Sequence, residues 1–312
     1  MAVIEQTFEL KESEKVEYGK AQPKRAGETV SRFVIASYNI RYAVGRYLIS
    51  GGLLRRIGLS GKRNRAAKVA NNIRRAARAF AEGTLLPPVD VLALQEADRE
   101  TSRAGGHHIA RELAEQLEMS WIHVPAGLPR GVAPKKRQWW LDFEEEIELF
   151  DRGDTGLALL GHFPIEEVLR LDLPWTDCAW RPRLSMGATI RFPNGGVRLF
   201  NSHIDPHTSD FGQNKQLQVV IDRARQSALP TIVLGDFNTL SRDKCRAVRR
   251  LLEAEGYVTP FPSGTATWRG AGLRLQADWI FVRGVEVTRW GVARPLAVSD
   301  HWPIWAEISI MS

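Results

Sequence analysis

Two short apolar runs separated by a helical pattern constrain this chain most. The stretch SRFVIASYNI, rich in β-branched and aromatic residues, reads as a buried strand ending near Tyr38. From Asn64 onward, Ala66, Val69, Ile73, Ala77 and Phe80 recur at spacings of three and four, which predicts a helix with one apolar face running to Phe80. VDVLALQE then reads as a second buried strand. Strand, helix, strand implies a right-handed crossover between parallel strands, whose C-terminal ends share one edge of a sheet. Asn39 and Glu96 stand at those two ends. They are therefore expected to be close in space although far apart in sequence.

The second half of the chain repeats the device without a sequence repeat. LSMGATIRF, the turn PNGG and VRLFNSHID predict a hairpin whose second strand ends at His203. A helix over Gln213 to Ala228 buries Leu217, Val220, Ile221 and Ala224, and TIVLGDFN follows as a buried strand with Asp236 and Asn238 beyond its end. ADWIFV and HWPIWAEISI are strand-like, with Asp278 and the Asp300–His301 pair at their starts. So many strands exceed what one sheet comfortably holds, which predicts two sheets packed face to face with helices outside. No linker divides the chain. The expected organisation is a polar extension over residues 1–30 and a single domain over 31–312.

Composition narrows the class. A hydrophobic content of 44% with 25% charged residues describes a folded globular chain rather than a disordered or fibrous one. The two cysteines, Cys178 and Cys245, exclude a disulfide framework, and neither has a local base that would make it a nucleophile. The charged first thirty residues hold no signal-peptide run, and no stretch of about 20 apolar residues occurs. The expected location is cytoplasmic. A formal net charge of +7 favours anionic partners. Between Glu28 and Glu82 there is no acid, while Arg41, Arg46, Arg55, Arg56, Lys62, Arg63, Arg65, Lys68, Arg74, Arg75 and Arg78 crowd the same stretch. That stretch is either a solvated face or a phosphate-binding surface.

Six polar sites thus fall at strand ends: Asn39, Glu96, His203, Asp236 with Asn238, Asp278, and Asp300 with His301. Any one of them is ordinary capping or turn material. Together they are not. Glu96, Asp300 and the Asn39 amide are hard oxygen donors that suit Mg²⁺ or Mn²⁺, and the chain has no histidine pair at helical spacing and no cysteine ligands of the kind zinc favours. A phosphate ester fits such a site, because its hydrolysis needs charge neutralisation, an activated water and support for the leaving oxygen. His107 and His108 read as residues at a helix N-terminus, where neighbours point apart and cannot share an ion. Trp139 and Trp140 read as core cover, with base stacking or lipid contact as the alternative.

In this order, YNIR, LQEADRETSR, NSHID, LGDFN, ADWIFV and SDHWPI resemble the endonuclease/exonuclease/phosphatase superfamily, also called DNase I-like, over about Phe33 to Ile308. The resemblance implies an α/β fold built as a four-layered αββα sandwich, and metal-dependent hydrolysis of phosphoester bonds in a cleft at one edge of the sheets. It implies Glu96 as principal metal ligand, with Asn39 and Asp300 near the same ion. Asp236 and Asn238 match the pair that orients the attacking water, Asp278 the carboxylate that holds His301, and His203 the histidine that supports the phosphate. Arg183 stands where a phosphate-facing arginine is common, with Arg181 as its rival. Nucleic acid is the favoured substrate. A phospholipid or sphingolipid headgroup, an inositol phosphate or a small monoester is the alternative, a non-catalytic binding module is disfavoured, and no obligate protein partner is evident. Two departures stand out. Arg41 replaces the aspartate of apurinic-site nucleases, and Leu157 and Gly161–His162 replace residues common around the middle strand.

Overall fold

The computed structural model describes residues 16–19, 24–45, 64–128, 147, 150–176, 182–270, 272–294 and 296–310. Arg181, Cys178, Trp139, Trp140 and the basic residues from Arg46 to Arg63 lie outside them.

The crossover forms as its pattern predicts. Strand β2 (Arg32–Asn39) runs parallel to β3 (Val91–Gln95), with Asn39 opposite Gln95, and helix α1 (Arg65–Ala81) connects them. Around this pair assembles a seven-stranded sheet in the order β1-β4-β5-β3-β2-β14-β13, which adds β1 (Glu17–Gly19), β4 (Ser120–Pro125), β5 (Gly156–Gly161), β13 (Glu286–Val292) and β14 (Ile304–Ser309). The second sheet has the order β12-β9-β8-β7-β6, from β6 (Ile165–Asp172), β7 (Leu184–Phe192), β8 (Gly195–His203), β9 (Thr231–Asp236) and β12 (Asp278–Arg283). A short hairpin, β10 (Trp268–Gly270) and β11 (Leu273–Leu275), stands apart from both. Helices α2 (Ile109–Leu117), α3 (Asp210–Arg225) and α4 (Arg242–Glu253), with a 3₁₀ turn at Arg41–Ala43, complete the described elements.

Period-two alternation sorts these strands into layers. On β2, Phe33 and Ile35 point between the sheets, where they meet Met186, Ala188 and Ile190 of β7 and Ile232 and Leu234 of β9. Val34, Ala36 and Tyr38 point the other way, against Val69, Ile73 and Phe80 of α1 and Leu113 and Leu117 of α2. On the far side, Phe200, Val233, Trp279 and Phe281 pack under Leu217, Val220 and Ile221 of α3 and Val248 and Leu252 of α4. The result is the four-layered αββα sandwich. Each fully buried Phe, Leu or Ile contributes about 1.5–3 kcal/mol, so all three apolar layers hold the sandwich together. Polar contacts also cross the inter-sheet layer: Gln95 Nε2 donates to Asn201 Oδ1 at 2.7 Å, while Asn201 Nδ2 donates to the Leu94 carbonyl at 2.9 Å. That pair fixes how the sheets sit on each other directly beneath the end of β3.

Three elements differ from their sequence reading. The third helix begins at Asp210 rather than Gln213, because the Ser209 side chain caps it by accepting from Gly212 N. His108 is the N-cap of α2, its ring accepting from Arg111 N, so the helix starts one residue after the histidine pair. Glu17–Gly19, from the stretch expected to lie outside the fold, pairs with β4 as an edge strand, and Glu17 bonds Arg99 and, at 2.9 Å, His108. Burial opposes ionisation, but the hydrogen bond with His108 and the Arg99 charge hold the Glu17 carboxyl down at about 2. None of the described helices is long and apolar enough to cross a membrane.

Candidate active site

Hydrogen-bond register builds the site. In the second sheet Leu184 pairs with His203, His203 with Asp236, and Asp236 with Asp278, so one row perpendicular to the strands carries these residues across four neighbours. Adjacent strands are about 4.8 Å apart. In the first sheet the corresponding edge carries Asn39 and, one residue past β3, Glu96. The two edges meet where Asn39 Nδ2 donates to Asp236 Oδ2 at 2.8 Å, 197 residues apart in sequence.

The local backbone is specialised at this edge. Glu96 and Asn238 both have φ of 51°, a left-handed conformation that costs a non-glycine residue about 1 kcal/mol or more. Asn238 tolerates it, and its amide donates to the Ile204 carbonyl at 2.9 Å. Glu96 is held by its carbonyl, which accepts from Tyr42 N at 3.1 Å. Gly235 in LGDFN has φ of 135°, and a Cβ there would lie 2.0 Å from the Ser202 carbonyl oxygen. Only glycine lets β9 lie this close to β8 immediately before Asp236.

Asp236, 1% exposed, is the hub. Besides Asn39 it accepts from the Asn238 backbone N–H at 2.9 Å, and its Oδ2 lies 3.6 Å from His203 Nε2 and 3.7 Å from His301 Nε2. His301 Nδ1 in turn lies 2.9 Å from Asp278 Oδ2. Burial, reinforced by the Asp278 charge, pushes the Asp236 carboxyl well above the ordinary carboxylate range. Burial opposes the His301 charge, but Asp278, Asp236 and Asp300 together outweigh it and raise the imidazole pKa. The carboxylates thus favour the protonated form of His301, and burial favours the protonated form of Asp236. On the other flank Arg183 Nη1 lies 3.0 Å from His203 Nε2, and His203 lies 3.8 Å from Glu96 Oε1.

Two predicted site residues have partners the sequence did not reveal. Asp300 Oδ2 accepts from Arg41 Nη1 at 2.9 Å and from Trp268 Nε1 at 3.0 Å. Burial raises its pKa, but Arg41 and His301 overcome this and leave it lowered. Asn39 Oδ1 accepts from Arg41 N at 3.0 Å, so both ends of that amide are engaged. Thr267, also unmarked in the sequence, accepts at Oγ1 from the backbone N–H groups of Ala277 and Asp278, at 3.0 Å each, and so anchors the start of β12.

The donor set fits a divalent cation. Glu96, Asp236, Asp278 and Asp300 bring four carboxylates to one edge. Asp236, Asp278 and His301 present ligand atoms within 4.8 Å of one another. Both Asp278 oxygens already face His301 Nδ1, however, at 3.1 and 2.9 Å, so Asp278 and His301 are bonded to each other rather than open to an ion. Of the basic stretch, Arg74, Arg75 and Arg78 are exposed in the half of α1 that runs away from this edge toward the start of β3.

Comparison with known proteins agrees with this geometry. The profile of the Endonuclease/Exonuclease/phosphatase family matches residues 36–301, and the chain belongs to that family, whose members hydrolyse phosphoesters and generally use divalent metals. UPF0294 protein VV2535 of Vibrio vulnificus (strain YJ016) is 31% identical over 153 residues, covering 42% of this chain and 52% of that protein, so the chain spans about half the length of this relative. Among solved structures, an endonuclease/exonuclease/phosphatase from Beutenbergia cavernae superposes with a TM-score of 0.61 at 16% identity, over 90% of this chain and 72% of the other. ANGEL2, a 2′,3′-cyclic phosphatase, superposes with a TM-score of 0.56 at 14% identity, over 95% of this chain and 98% of that one.

Proposed function

We propose that the chain is a metal-dependent phosphodiesterase that cleaves nucleic acid by in-line attack of a water positioned by Asp236. The observation that carries this reading is the environment of Asp236, a buried carboxyl with raised proton affinity, fixed by Asn39 and the Asn238 backbone and flanked by two imidazoles.

In this reading Asp236 accepts the proton of the attacking water while the water oxygen bonds to phosphorus and the ester P–O bond breaks. The protonated His301, oriented by Asp278, faces the phosphoryl oxygens and balances the charge that develops there. His203 and Arg183 meet that charge from the other side. Glu96 would hold Mg²⁺ or Mn²⁺, with Asn39 and Asp300 beside it, and the ion supplies Lewis-acid neutralisation at the phosphoryl group. Arg41 moderates the negative charge that Asp300 offers. The departing alkoxide takes a proton from solvent, so the products are a phosphomonoester and an alcohol.

Purified protein assayed on bis-p-nitrophenyl phosphate and on oligonucleotides is expected to lose activity in EDTA and regain it with Mg²⁺ or Mn²⁺. Full turnover in chelator contradicts the metal requirement. Turnover of p-nitrophenyl phosphate or choline phospholipids in preference to diesters and oligonucleotides contradicts the substrate class.

A further inference from the structure

The hairpin β10–β11 crosses the flank of the site opposite Arg183. Trp268 bonds Asp300, and Arg269 N donates to the Asp300 carbonyl at 3.0 Å. The hairpin is built in a costly way. Arg269 and Arg274 are direct cross-strand partners, which places two like charges side by side. A third arginine joins them from the segment after β13. Arg294 lies over the Trp302 ring at 4.8 Å, as Arg269 does at 4.6 Å, and burial together with the Arg274 charge lowers its pKa.

Among the described residues these arginines form no ion pair with a carboxylate. Arg294 donates to the Ala266 carbonyl. Arg269 Nε and Nη2 and Trp302 Nε1, all buried, have no hydrogen-bond partner among the described residues. Two cations paired across the hairpin, with a third over the same indole ring, are unfavourable without a counter-ion. A phosphate offsets that cost, since guanidinium groups match its oxygens and their charges become attractive.

We propose that Arg269, Arg274 and Arg294, with Trp302, form a subsite for a second, non-reacting phosphate of the substrate. The subsite abuts His301 through Trp302, so its occupant is a phosphate neighbouring the scissile one, as a nucleic-acid strand provides. This deepens the phosphodiesterase reading and rests on it for the identity of the scissile group. It also moves the expected phosphate-binding charge from the Arg74–Arg78 face of α1 to the hairpin.

Binding tests the subsite without requiring turnover. Fluorescein-labelled dT10 is titrated by anisotropy in EDTA against the full chain and against the Arg269→Gln/Arg274→Thr double variant. Thymidine 3′,5′-bisphosphate and thymidine 3′-monophosphate serve as competitors. The variant is expected to bind dT10 about tenfold more weakly or worse, with its salt slope reduced by about 0.7 for each phosphate that the protein no longer neutralises. If any two-phosphate ester fills the site, the bisphosphate should outcompete the monophosphate on the wild type and lose that advantage on the variant; equal competition on the wild type means that only a strand fills it. Thermal melting supplies a second readout. Arg274→Thr should raise Tm in the absence of ligand by removing the like-charge pair, while pyrophosphate should raise Tm more in the wild type than in the variant. Unchanged dT10 affinity and salt slope overturn the subsite, and so does an equal weakening of monophosphate binding. Intact binding without hydrolysis would instead sink the phosphodiesterase reading and leave the subsite standing.

Discussion

Asp236→Asn is expected to lower kcat on bis-p-nitrophenyl phosphate by about 10²-fold or more, with little change in the Mg²⁺ concentration that gives half activity. The amide has the carboxylate's shape. Its oxygen can still accept from Asn39 Nδ2 or from the Asn238 N–H, the two bonds that fix the side chain at 2.8 and 2.9 Å, so the edge of β9 keeps its place. What disappears is proton affinity, which matters when water becomes a nucleophile and little when substrate binds. The effect should therefore fall on kcat at saturating metal. Recovery of the variant by excess Mg²⁺ would show that Asp236 serves the ion instead.

Asp278→Asn and His301→Gln are each expected to lower kcat by about 10²-fold, and the double variant should be no worse than the poorer single. The two residues act as one unit. Asp278 holds His301 Nδ1 at 2.9 Å, and its charge is the leading favourable influence on the protonated ring. The backbone of Asp278 is held separately by Thr267 Oγ1, so the substitution leaves the start of β12 in place. Losses that multiply in the double variant would separate the residues and remove the dyad from the account.

The parts of this architecture that can be read from sequence are those buried on both faces. Strands β2, β3, β9 and β12 are continuous apolar runs because a helix layer covers one side and the partner sheet the other. Strands β6 and β13 mix charged and half-buried residues at a sheet edge, and β4 carries the buried polar His123 in its middle, so neither period-two alternation nor an apolar run marks them. Helix α4 buries only Cys245, Val248 and Leu252 beneath a surface dense in arginine, which dilutes its apolar stripe.

The site divides along the same physical line. Residues at the ends of buried strands can be placed by counting along those strands, which is why Asn39, Glu96, His203 and Asp236 are legible as neighbours. Contacts made by irregular segments are set by tertiary packing and leave no periodic trace. The pairing of Asp300 with Arg41 and Trp268 is of this kind, as are the Thr267 anchor and the Arg269–Arg274 pair. Arg41 is visible in the sequence as a departure from the family pattern, but its partner is not.

The division of labour between Glu96 and Asp236 is the central claim, and Mg²⁺ titrations of hydrolysis by Glu96→Gln beside the wild type test it most directly. The glutamine keeps the side chain's size and removes its charge, so the half-saturating Mg²⁺ concentration is predicted to rise about tenfold or more, with activity partly restored at high metal. A Glu96→Gln variant that titrates at the wild-type Mg²⁺ concentration, or whose missing activity no amount of metal restores, would contradict the assignment of Glu96 as the residue that holds the ion.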